Sequence, residues 1–140
     1  MEIDQLVMEM IEKVLGCISE YKPDGRIGTK LKRNHLRTIE RAKEFITQQF
    51  ANDISLMDIA TYCHISPFHF SRIFKQFSGY SPYQYLQLVR LKHAETLLKN
   101  TDLPITDVCF RSGFNRLDYF SAAFTKKYHI APSRYKQLAS

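Results

Sequence analysis

The stretch Ser66-Pro67-Phe68-His69-Phe70-Ser71-Arg72-Ile73-Phe74-Lys75 is repeated, in altered form, by Arg116-Leu117-Asp118-Tyr119-Phe120-Ser121-Ala122-Ala123-Phe124-Thr125. The offset is 50 residues: Phe70 is answered by Phe120, Ser71 by Ser121 and Phe74 by Phe124, and further on Pro82 by Pro132 and Tyr85 by Tyr135. A repeat constrains the fold more than any composition does, because each copy must build a similar small unit. The apolar residues of each copy recur at helical spacing, so each predicts a short helix entered through a tight turn. In the first copy the face away from the apolar residues is basic. Such a tandem in a basic chain points to two DNA-reading helices on one polypeptide.

The rest of the chain reads as helix too. Ile3, Leu6, Val7, Met10, Ile11, Val14, Leu15 and Ile18 form an apolar stripe with charges opposite, predicting an amphipathic helix over residues 3–20. Pro23, Gly25 and Gly28 break it. Lys30, Lys32 and Arg33 then read as a basic linker, with a domain boundary near residue 30. Ile39, Ala42, Lys43, Ile46 and Phe50 fit one helix from Leu36 onward. Ser55 with Asp58 is a capping box for a short helix through Cys63. Ser66 before Pro67 is an N-cap followed by a first-turn proline, opening a helix that ends near Gly79. Ser81-Pro82 repeats the signal for a long helix to about Lys99, with a stripe of Tyr85, Leu86, Val89, Ala94, Leu97 and Leu98. Pro104 opens a short helix to about Arg111, Gly113-Phe114-Asn115 is a turn, and helices follow from Arg116 to Tyr128 and from Pro132. Strand-like alternation is absent, so the expected class is all-α: two helix-turn-helix subdomains (36–80 and 101–138) joined by a linker helix (82–99). Residues 1–30 would form a separate N-terminal segment, and residues 31–140 the DNA-binding domain.

Composition narrows the function. In 140 residues, 44% hydrophobic, there is enough apolar material for a packed core. No run of about 18 apolar residues exists, and Met1-Glu2-Ile3-Asp4 is acidic where a secretory signal would be basic. A cytoplasmic, nucleoid-associated protein with no membrane partner is the expectation. Cys17, Cys63 and Cys109 lack paired spacing and read as core residues in a reducing compartment. The net charge of +6 is uneven: residues 1–20 hold five acids and one base, and residues 21–140 hold 19 bases and 9 acids. So basic a region expects a polyanion. His35, His64, His69, His93 and His129 show no metal spacing, and no catalytic constellation or phosphate loop stands out, so no metal, cofactor or enzymatic activity is expected.

On a helical wheel Phe70, Ile73, Phe74 and Phe77 fall on one side of the first unit's second helix, and Phe68, Arg72, Lys75 and Gln76 on the other. His69 and Ser71 flank the outer face, and Pro67 opens the helix. Arg72 has the fork for guanine O6 and N7, while Lys75 suits a phosphate. Phe68 suits a thymine methyl, the alternative being a packing contact. In the second unit Leu117, Phe120, Ala123, Phe124 and Tyr128 make the inner face and Asp118, Ala122, Thr125 and Lys126 the outer one. Arg72 is answered by Ala122 and Lys75 by Thr125, so the basic pair is lost and the two halves of a bound site would be read unequally. Asn115 and Arg116 at the start of this helix can restore contact, and Asp118, though repelled by phosphate, can accept from cytosine N4.

The chain resembles the DNA-binding domain of the AraC/XylS transcription regulators. The resemblance rests on Leu56-Met57-Asp58-Ile59-Ala60, Ser66 to Lys75, Gly79, Ser81-Pro82, Tyr85-Leu86, Arg90-Leu91, Ala94 and Leu97-Leu98. It continues through Ile105, Val108, Gly113-Phe114, Tyr119-Phe120-Ser121, Phe124, Lys126-Lys127, Pro132 and Tyr135. It implies two readers joined by one helix of roughly 27 Å, set to reach successive major-groove faces about 34 Å apart on an asymmetric site. It also implies a transcription activator that touches RNA polymerase. The family usually has Arg at Ala122, Lys at Thr125, Gly at His129, Arg at Lys136 and Ala at Cys109. Other readings are the C-terminal piece of a larger ligand-sensing regulator, or an interaction module with weak DNA binding. Residues 3–20 are expected to pair with a second copy as a homodimer, or to fold back on the helix at 37–50.

Overall fold

In the computed structural model the described residues are 28–139, and all of their regular structure is helical. The amphipathic helix expected at residues 3–20, its proposed pairing and Cys17 lie outside them. The elements are α1 (Gly28–Gln49), α2 (Leu56–Tyr62), α3 (Pro67–Ser78), α4 (Pro82–Asn100), α5 (Ile105–Arg111), α6 (Leu117–Tyr128) and α7 (Pro132–Ala139). They divide into two compact units. One holds residues 28–48 and 54–86, the other residues 49–53 and 87–139. The long helix α4 passes from the first unit into the second at Leu86–Gln87.

Helix α1 starts earlier than the sequence suggested. Lys30, Lys32 and Arg33 belong to it and form no linker. Between Gly28 and Gln49 there is neither proline nor a further glycine, and Lys, Leu and Arg are good helix formers, so nothing stops the helix short of Gly28. Ile39, Ala42 and Ile46 are its buried positions. The first unit buries these with Ile59, Ala60, Phe70, Ile73, Phe74 and Leu86. Phe70 and Phe74 are one helical turn apart with ring centroids at 5.5 Å, and Tyr85 meets Phe74 edge-on at 5.6 Å. Such aromatic pairs add about 0.5–1.5 kcal/mol beyond the area that they bury.

The second unit packs Leu91, Ala94 and Leu98 of α4 against Val108, Cys109, Phe114, Phe120, Ala123 and Phe124. Leu117, expected on the inner face, is 40% exposed. It is the first residue of α6, before the helix has turned its side chains onto the core. Two charged residues of α4 outside the expected apolar stripe are buried as well. Arg90 donates from Nε to Phe50 O (2.8 Å) and from Nη2 to Asn52 O (2.9 Å). It thereby supplies donors to carbonyls of the turn that follows α1. Glu95 receives Lys92 Nζ at 3.0 Å and Lys99 Nζ at 3.5 Å. Burial pushes its carboxyl up, and the two lysines outweigh that and hold it below its usual range. The Tyr128 phenol is pushed up to about 12, by burial first and then by the Glu95 charge and hydrogen bond.

The repeat has two registers, not one. From α3 and α6 onward the offset is 50: the bonds Phe70 N to Ser66 O and Gly79 N to Lys75 O recur as Phe120 N to Arg116 O and His129 N to Thr125 O. Before that point the offset is 49: Ile65 N to Ala60 O recurs as Phe114 N to Cys109 O, and His64 N to Thr61 O as Gly113 N to Phe110 O. The second turn therefore holds one extra residue, Asn115. The left-handed place in the turn is filled by His64 (φ 57°) in the first unit and by Gly113 (φ 95°) in the second.

Candidate nucleic-acid interface

In each unit a short helix, α2 or α5, precedes a turn and a longer helix, α3 or α6, whose outer side is open to solvent. Helix α3 is firmly started. Ser66 Oγ accepts from His69 N (3.3 Å), Pro67 takes the first helical position, and Gly79 ends the helix in the left-handed conformation. Serines begin all three comparable helices of the first unit. Ser55 and Asp58 form a reciprocal box (2.9 and 3.1 Å), as do Ser81 and Gln84 (3.0 Å each way). At the matching places of the second unit stand Pro104, Arg116 and Ala131, and neither Pro104 nor Arg116 makes a side-chain cap bond. The cost of such a missing cap is about 1 kcal/mol per helix.

Along α3, Phe68, His69, Lys75 and Gln76 are exposed, and Pro67 and Arg72 are half-buried. Phe68 is 61% exposed, a large flat apolar surface in water on the outer arc. Ser71, expected at the flank of the reading face, is 2% exposed and is corrected to a core residue. It sits about 60° from Phe74 around the helix, inside the arc that the core covers. Its Oγ finds no hydrogen-bond partner. The outer arc therefore narrows to Phe68, His69, Arg72, Lys75 and Gln76, about 120° wide. His35 of α1 joins this face without any spacing in the sequence to mark it. Its ring meets His69 at 5.5 Å and Phe77 at 5.7 Å, so α1 braces one side of the reading face. Burial, then the charge of His69, lowers the His35 pKa.

Along α6, Asn115, Arg116, Asp118, Ala122, Thr125 and Lys126 are all exposed, as expected of an outer face. Three of them are already engaged. Thr125 donates its hydroxyl proton to Ser121 O (2.7 Å), leaving only acceptor capacity outward. Arg116 makes a bidentate ion pair with Asp118: Nε to Oδ1 at 3.2 Å and Nη2 to Oδ2 at 2.8 Å. The guanidinium, and after it the Tyr119 backbone amide, hold the Asp118 carboxyl below its usual range. Opposite charges two residues apart at a helix start were the available signal for this pair. The other departures are absorbed structurally. Cys109 is fully buried, and burial, then the Asp118 charge, pushes its thiol up to about 11. Lys136 donates to Leu103 O at 2.6 Å, and His129 takes the left-handed cap with φ 62°.

Among the described residues no group of three or more His, Cys, Asp or Glu is placed to hold a metal ion, and no helix is long and apolar enough to cross a membrane. What the two units offer is a pair of solvent-facing helices, each propped by a short one. Comparison with known proteins agrees with that geometry. Residues 59–138 match a family model described as a helix-turn-helix domain. The chain is 32% identical over 101 residues to the bifunctional transcriptional activator/DNA repair enzyme AdaA of Bacillus subtilis, covering 72% of this chain and 48% of that protein. It is 34% identical over 98 residues to the lactose operon transcription activator of Staphylococcus xylosus, covering 70% and 35%. A transcriptional regulator from Chromobacterium violaceum, whose solved structure is described as an AraC-type DNA-binding domain-containing protein, superposes with a TM-score of 0.71 at 26% identity, covering 75% of this chain and 94% of that one. The chain spans less than half of the length of these curated relatives. With more than half of its residues inside the helix-turn-helix model and the AraC-type fold around both turns, the chain belongs to the AraC/XylS family of helix-turn-helix proteins.

Proposed function

We propose that this chain is a sequence-specific regulator of transcription, acting as an activator, that grips double-stranded DNA with α3 and α6 in major grooves of one asymmetric site. The observation that carries this reading is the outer arc of α3, where Arg72, Lys75, Gln76 and His69 supply donors and Phe68 an apolar plate on a well-capped helix. Base edges in the major groove ask for this mixture, and the phosphates on either side ask for Lys. The names of the relatives support activation. Helix α3 carries the larger share of base reading, because α6 has Ala122 and Thr125 where α3 has Arg72 and Lys75. Contact with RNA polymerase, pairing of two copies through residues 3–20 and a cytoplasmic, nucleoid-associated location belong to the same reading.

Selection of sites from a randomised duplex library tests it. A selected site should bind about 1,000-fold or more tighter than mixed sequence, as specific binders do. Arg72→Ala should then cost about 1–3 kcal/mol and relax preference at one base step. Lys75→Ala should weaken all sequences alike and reduce the salt slope by about one. Equal affinity for selected and mixed DNA would leave an interaction module as the better account.

A further inference from the structure

The pairing of Arg116 with Asp118 is unexpected on a surface offered to phosphates. A lone arginine at the mouth of α6 would serve a phosphate well, and a carboxylate beside it only weakens that service. Both side chains are well exposed, at 62% and 69%, so the pair is not a buried charge seeking neutralisation. An exposed pair adds little to stability, too little to explain it as a strut.

The atoms engaged suggest a purpose. Asp118 takes Nε–H and one Nη2–H, the lateral edge of the guanidinium. A guanidinium has five N–H donors in one plane. Three remain, and two of these, one on Nη1 and one on Nη2, lie parallel at the far end of the group. That free end is the fork that matches guanine O6 and N7. The carboxylate also fixes the plane of a side chain that otherwise loses rotamer freedom on binding. Arg116 immediately precedes α6, and base contacts in helix-turn-helix proteins come from the N-terminal part of the reading helix.

We infer that Arg116 is the guanine-reading residue of the second unit, and that Asp118 is the positioning residue that turns its free edge toward the base. This rests on the DNA-binding reading above and adds to it the base that α6 recognises. Helix α6 thus replaces the reader missing at Ala122 with one placed a turn and a half earlier. The carboxylate costs affinity for DNA in general and returns it as preference for one base.

The test uses the full chain on its selected site, with each base under the second unit varied, and with 7-deazaguanine replacing each guanine there to remove N7. Wild type should prefer one guanine by roughly 5- to 100-fold and lose most of that preference to 7-deazaguanine. Arg116→Lys keeps the charge but has no fork, so discrimination at that guanine should collapse while mixed-sequence affinity and salt slope hold. Asp118→Asn can still accept from the first-turn amide but offers one oxygen in place of two. It should bind mixed sequence more tightly and discriminate less, opposite movements that a helix-cap role alone does not produce. Unchanged discrimination in both variants, or a uniform loss on all sequences, overturns the assignment while specific binding through α3 stands. A wild type without any sequence preference overturns the DNA-reading function itself, and this inference with it.

Discussion

Gly113 has no room for a side chain, and Gly113→Ala measures what adding one costs. Its φ of 95° lies where side chains are strained, at about 1–2 kcal/mol for the left-handed region. Space is the larger problem. A Cβ at Gly113 would stand 2.7 Å from Arg90 Nε and 3.2 Å from Ala51 Cα, and closer still to Phe50 O, nearer than real Cβ atoms come. Phe50 O is the acceptor of Arg90 Nε, so the methyl group arrives on a hydrogen bond that involves a buried guanidinium. Hydrogen bonds to charged groups are worth about 1.5–3 kcal/mol. With the backbone strain, the substitution should cost about 3–5 kcal/mol, a large part of the roughly 5–15 kcal/mol that stabilises a domain. Urea unfolding followed by circular dichroism gives the number. A double-mutant cycle with Arg90→Met separates the two causes: the methyl should cost less once the guanidinium is gone, with a coupling of about 0.5–3 kcal/mol. A cost of Gly113→Ala below about 1 kcal/mol, or additivity in the cycle, refutes the reasoning.

Ser71→Ala removes a buried hydroxyl without a partner, so thermal unfolding should show equal or greater stability, by up to about 1 kcal/mol, with DNA affinity unchanged; a specific loss of affinity would return Ser71 to the reading face. His129→Gly relieves the left-handed cap of α6 and should stabilise by about 0.5–1 kcal/mol in urea titration, whereas a loss would mean that the imidazole makes an unrecognised contact. Glu95 has its carboxyl pKa depressed in the fold, so its contribution is present above the unfolded value near 4.5 and is lost as pH falls through the lower folded value. The stability difference between wild type and Glu95→Gln should therefore be largest at neutral pH and shrink in acid; a difference constant with pH rules out the ionised form as its source.

Much of the fold was legible because capping and breaking residues are local signals. Ser55-Asp58, Ser66-Pro67, Gly79 and Ser81-Pro82 each fix a chain end by a bond or a backbone angle within four residues, and the helices begin and end where these residues stand. The start of α1 was missed for the complementary reason: a run of exposed Lys and Arg has no apolar period to follow, and only the absence of a breaker marks it as helix. Arg90 was hidden because its partners lie elsewhere in the chain, and Glu95 because what buries it does, although Lys92 and Lys99 are its neighbours on α4. The carbonyls of Phe50 and Asn52 carry no side-chain signal, and Glu95 looks like any surface acid until Tyr128 is folded over it. On the outer faces, Phe68, Lys75 and Gln76 could be placed by counting turns. Ser71 could not, since a small polar residue at the edge of an arc is buried or exposed according to how far its neighbours reach.

Asn115 has a consequence for anyone who would rebuild this protein. Because the second turn is longer by one residue, the two reading helices are not interchangeable cartridges. An α3 sequence grafted into the place of α6 by the 50-residue alignment would keep its own helix in phase but inherit a turn made for Gly113 and Asn115. A graft aligned throughout by the supporting helix's offset of 49 would set the reading helix one residue out of phase, a rotation of about 100°. Retargeting either half therefore means moving turn and helix together, as a cassette bounded by Ala60 and Gly79 in one unit and by Cys109 and His129 in the other.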